Sequence, residues 1–146
     1  METYFDALSR AFAEYRQDVE DFERKSRPTD GLFGFGRSLQ NDACNDRFDK
    51  AVELAVTGLV SAGPSAADAE RAVRMVLTQD LRAWPLASQW MLRAAERHCI
   101  LLVPFLAPAA AAALEKEYAG RYRRYERMPV QKQLLQALKK RGADRT

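Results

Sequence analysis

Glycine is scarce in this chain, seven in 146 residues, and no β-branched run alternates with polar residues. That pattern excludes a sheet-built domain. Two cysteines, Cys44 and Cys99, are too few for a disulfide framework. His98 is the only histidine, and no C-x-x-C or H-x-x-x-H pair supplies the spacing of a metal site. The longest apolar run, Cys99 to Leu114, has 16 residues and contains Pro104 and Pro108, whereas a membrane-spanning helix needs about 20. The N-terminal METYFDALSRAF has early acidic residues and no apolar core of signal-peptide type. A cytoplasmic protein without a membrane span, a metal or a cofactor is the expectation.

What is present reads as helix. Apolar residues make up 47% and charged residues 29% of the chain, a globular balance, and the length suits a single helical domain over 1–146. The expected fold is all-α: a compact bundle of five or six helices around a buried central helix at about 86–103. That helix begins amphipathic and ends apolar on every side, so other helices must enclose it. Within it His98 reads as a core histidine satisfied by one neighbour, with Glu96 and Arg97 facing outward.

The long N-terminal helix, about 3–27, places Phe5, Leu8, Phe12, Tyr15, Val19 and Phe22 at alternating spacings of three and four, a seam made of aromatics. Arg27-Pro28 ends it, because the residue before proline is pushed out of the α region. A Gly/Phe loop follows over 28–41. In it Leu32, Phe33 and Phe35 alternate with glycines, and they either plug the end of the bundle or contact a partner. A second helix from Asp42 to Ser61 buries Cys44, Phe48, Ala51, Val52, Ala55, Leu59 and Val60, with Asp42, Asp46, Asp49 and Glu53 as a solvated acidic face. Gly63-Pro64 is a turn, Ser65 caps a third helix, and Trp84-Pro85 precedes the central one.

The basic C-terminal helices cover 108–141. Pro108 opens an alanine-rich helix expected to run to Met128, with Tyr118, Tyr122 and Tyr125 on one stripe. Pro129 opens the last helix. Residues 119–141 carry a net charge of +7, leaving −4 on the remainder of a chain whose total is +3.

Three uses follow. The first is a non-catalytic protein-interaction module, self-association included, which meets its partner through Phe5, Phe12 and Tyr15 of the seam and Leu32, Phe33 and Phe35 of the loop. The alternative is binding of nucleic acid or another polyanion through Arg121, Arg123, Arg124, Arg127, Lys132, Lys139 and Lys140. The third is an enzyme built on buried His98, Cys44 and a carboxylate. Adjacent His98 and Cys99 point about 100° apart on a helix and do not face each other. No small-molecule substrate is evident.

Overall fold

The aromatic seam of the first helix, α1 (Glu2–Ser26), is buried along its whole length: Phe5, Leu8, Phe12, Tyr15, Val19 and Phe22 all lie in the interior. The structure is a computed structural model and describes residues 2–26 and 34–144, without the side chains of 25, 26, 34–42 and 125. The seam packs on α2 (Gly34–Ser61). The two helices run antiparallel, since Tyr4 meets Gly58 while Tyr15 donates a 2.5 Å hydrogen bond to Asn45. Phe12 meets Phe48 edge-on at 5.2 Å, and Tyr15 stacks on Phe48 at 4.4 Å and on Trp84 at 5.5 Å. Each such pair contributes about 0.5–1.5 kcal/mol beyond area burial. Phe5, Phe12 and Tyr15, expected as partner contacts, are therefore enclosed by the chain itself and offer no surface.

Two boundaries differ from expectation. The Gly/Phe segment is not a loop throughout, because α2 starts at Gly34. Glycine weakens a helix by about 1 kcal/mol without forbidding it, and extending a formed helix adds one hydrogen bond for each residue fixed. Phe35 thus has its backbone in α2, while Leu32, Phe33 and the Phe35 side chain lie outside the described residues. The second difference is α5 (Pro108–Arg121), which stops well before Met128. Tyr122 turns to extended backbone, φ −124° and ψ 137°, and its ring is buried.

The helix punctuation follows the sequence. Gly63 closes α2 with a φ of +70°, and its N–H donates to the Val60 carbonyl at 3.1 Å. Ser65 Oγ accepts from the Asp68 N–H at 3.1 Å and opens α3 (Ala66–Leu77), which buries Ala69, Ala72, Val73, Val76 and Leu77.

The central element is a helix of two windings. After the short 3-10 turn Leu81–Ala83, α4 spans Leu86–Ala95, and the chain then tightens into a 3-10 helix over Glu96–Phe105. That tighter stretch packs against α2, α3 and α6 (Pro129–Gly142). At three residues per turn side chains eclipse at i and i+3, so Glu96, Cys99 and Leu102 share the buried side. Enclosure is incomplete: Leu86, Trp90 and Leu101 are exposed. The helices α5 and α6 run antiparallel, with the 3-10 turn Arg124–Glu126 between them. They approach so closely that a Cβ on Gly142 would lie 3.1 Å from Ala112 Cα. All six α-helices contribute to one hydrophobic core. Among the described residues there is no strand, and no helix is long and apolar enough to cross a membrane.

Gly63 tests this punctuation. A Cβ there would touch nothing, so Gly63→Ala isolates the cost of a left-handed backbone. We expect a loss of about 1 kcal/mol and a melting temperature lower by roughly 2–4 °C, read by thermal denaturation.

Candidate functional site

Glu96 stands at the junction of the two windings and is 1% exposed. Its Oε1 accepts from the Tyr118 hydroxyl at 2.7 Å and from Gln131 Nε2 at 3.1 Å. The Tyr122 hydroxyl bridges both carboxylate oxygens at 3.1 and 3.0 Å. Arg121 Nε stands 3.7 Å from Oε2. Gln131 extends the network, donating to the Arg93 carbonyl at 3.1 Å and accepting from the Met128 N–H at 3.0 Å. Burial pushes the Glu96 carboxyl above its ordinary range, against the hydrogen bonds from Tyr118, Gln131 and Tyr122 and the charge of Arg121. Burial and the neighbouring Glu96 charge raise both tyrosine hydroxyls, which stay protonated as donors.

Over this network lies a cleft of about 470 Å³, lined by Arg82, Arg93, Arg121 and Arg123, with Tyr122 and Glu126 among the other wall residues. Ligand sites commonly span about 300–1,000 Å³. The Arg93 and Arg121 guanidinium carbons lie 4.8 and 5.7 Å from the Tyr122 ring centroid, within cation–π reach. Each is anchored to a backbone carbonyl, Arg93 to that of Glu126 and Arg121 to that of Gln79. Arg93 Nε is buried and makes no hydrogen bond among the described residues. Arg123 Nε stands 3.9 Å from Glu126 Oε1. The helix that supplies Gln89 and Arg93 to the cleft wall also presents Leu86, 84% exposed, and Trp90, 51% exposed. A tryptophan so open to water is an unusual use of that side chain.

The seven cations expected to form a polyanion site are divided. Arg121 belongs to the Glu96 network, and Arg127 is half-buried with its guanidinium donating to the Ala119 carbonyl at 2.8 Å. Arg123, Arg124, Lys132, Lys139 and Lys140 are exposed. Lys139 and Lys140 sit in the last turn of α6, whose end packs on the start of α5, away from the cleft. Instead Arg82 and Arg93, distant in sequence from the basic segment, join Arg121 and Arg123. No periodicity marks them: Arg93 reaches the cleft over the Tyr122 ring and the Glu126 carbonyl, and Arg82 comes from the 3-10 turn before α4.

Asp49, expected in a solvated acidic face, accepts from Arg97 Nη2 at 2.6 Å and His98 Nε2 at 2.9 Å. Burial raises its carboxyl, but the hydrogen bonds from Arg97 and His98 outweigh burial and hold it below the ordinary range. His98 is thus a buried histidine satisfied by one carboxylate. Cys44 has its Sγ 3.4 Å from Arg47 Nη2; burial and then the Asp18 charge raise its thiol, with Arg47 opposing. Burial raises the Cys99 thiol as well. Both thiols are free. Among the described residues no three of His, Cys, Asp and Glu are grouped as a metal ion would need.

Comparison with known protein families, with curated proteins and with solved structures returns no match.

Glu96 carries two expected outcomes. Glu96→Ala leaves the Tyr118, Tyr122 and Gln131 donors without their acceptor and should cost on the order of 3 kcal/mol in chemical denaturation. Glu96→Gln tests the charge. A carboxyl raised by folding contributes stability in full below its unfolded pKa, about 4.3, and loses that contribution as pH rises through the higher folded value. As pH rises above that unfolded value the native chain should therefore lose stability that Glu96→Gln retains, and equal slopes for the two proteins would show that folding does not raise the Glu96 carboxyl.

Proposed function

We propose that this chain is a non-catalytic helical interaction module. Its partner is a protein segment bearing acidic groups, received by the arginine-lined cleft and by the apolar ridge of Leu86 and Trp90 beside it. The observation that carries the reading is that one helix, α4, lends Gln89 and Arg93 to a cleft lined by four arginines and also exposes Leu86 and Trp90. Tryptophan and arginine dominate the energetics of protein interfaces, and a positive face selects an acidic partner and speeds its encounter. Both thiols are pushed toward the unreactive neutral form and His98 is engaged by Asp49, which supports a binding rather than a catalytic role. Two free, buried thiols suit the reducing cytoplasm.

Nucleic acid is the second reading, favoured by the exposure of Arg123, Arg124, Lys132, Lys139 and Lys140. The two readings diverge in a calorimetric titration with poly-L-glutamate and single-stranded DNA as ligands. Binding of poly-L-glutamate should weaken with added salt. It should fall about tenfold or more in Trp90→Ala, as for a central anchor. Tight DNA binding that Trp90→Ala leaves intact, with no response to poly-L-glutamate, would transfer the assignment to the exposed cations.

A further inference from the structure

We infer that the cleft bounded by Arg82, Arg93, Arg121 and Arg123 is a seat for a phosphomonoester dianion, carried on a side chain of the partner. The inference rests on the reading above for the identity of the partner as a protein, and it specifies which anionic group enters.

Four arginines and one carboxylate, Glu126, line the cleft, and a second carboxylate, Glu96, lies 3.7 Å from Arg121. The excess is about two positive charges, which one carboxylate ligand would half compensate and a phosphomonoester, bringing about −1.5 to −2, would match.

A planar carboxylate is matched by one bidentate arginine fork. Here the arginines come from four places along the chain: the 3-10 turn Leu81–Ala83, the last turn of α4, the end of α5, and the corner after it. Donors converging from several walls suit a tetrahedral group with three terminal oxygens.

The Arg93 and Arg121 guanidinium groups flank one ring, that of Tyr122, and each holds a backbone carbonyl with one nitrogen. Tyr122 is itself tied to Glu96. Two of the four cations are thus positioned before any ligand arrives, which lowers the ordering cost of binding. Arg82 donates no side-chain hydrogen bond among the described residues, and Arg123 is 76% exposed.

Calorimetry on the full chain at constant ionic strength tests the seat, with phenyl phosphate, benzoate and dimethyl phosphate as probes. Phenyl phosphate should bind about tenfold or more tighter than benzoate or the monoanionic diester. Arg82→Gln and Arg123→Gln should each weaken it about five- to tenfold with unchanged thermal stability, and Lys139→Gln should not weaken it. Equal binding of phenyl phosphate and benzoate would overturn the inference, and so would a diester that binds as well as the monoester. Equal effects of Arg82→Gln and Lys139→Gln would overturn it too, because the attraction would then be diffuse charge. Poly-L-glutamate that binds through Trp90 while phenyl phosphate does not would remove the phosphate seat and leave the interaction reading standing. Phenyl phosphate bound at the arginines with no Trp90-dependent binding of poly-L-glutamate would do the reverse.

Discussion

A carboxylate closed off from water must be surrounded by donors or become neutral, and Glu96 imposes that constraint on the C-terminal half of this fold. Its partners come from two other helices: Tyr118 and Tyr122 from the end of α5, and Gln131 from the first turn of α6. The consequences are visible in the backbone. The helix α5 ends at Arg121 because Tyr122 turns inward to reach Glu96. The start of α6 is held because Gln131 links Glu96, the Arg93 carbonyl and the Met128 N–H. Arg121 and Arg93 then lie over the Tyr122 ring, so the buried acid also positions the cations of the cleft.

Asp49 sits in a comparable setting with the opposite balance. It is less buried, and its partners, Arg97 and His98, include a permanent cation. Hydrogen bonding wins there and the carboxyl is lowered, while at Glu96 desolvation wins and the carboxyl is raised. The linkage signs are therefore opposite. Asp49 stabilises the fold at pH above the ordinary aspartate range and loses that effect as pH falls through its lowered value. Glu96 favours the fold at acidic pH and loses its effect as pH rises. The two acids act in separate windows, and each anchors the central element to a different neighbour: Asp49 to α2, Glu96 to α5 and α6.

Regular periodicity was legible in the sequence. The heptad seam of α1, the Gly63 turn and the Ser65 cap all follow from side-chain spacing and local backbone chemistry. The all-α bundle follows from the same signals. The site was not legible, for a definable reason. Outward placement of Glu96 assumes a solvated charge, but Glu96 lies four residues after Leu92 and three before Cys99, on the buried side of the helix, where donors from α5 and α6 replace water. The tyrosines of α5 could be read as core or as base-stacking groups. Nothing local says that they donate to an acid more than 20 residues earlier.

Net charge along the chain is also a poor map of where a cation acts. The +7 of residues 119–141 includes Arg121, Arg127 and Arg141, and each of these donates to a backbone carbonyl: those of Gln79, Ala119 and Leu106. Such cations cover carbonyl groups near helix ends that the helices leave unpaired. Their role is structural before it is electrostatic. The cleft, by contrast, draws Arg82 and Arg93 from outside the basic segment. What assembles them is the tertiary meeting of α4 with the corner after α5, and Glu96 holds that corner in place. A charge change at the surface lysines would alter the overall field, whereas a change at Glu96 or Tyr122 would alter the shape of the cleft itself.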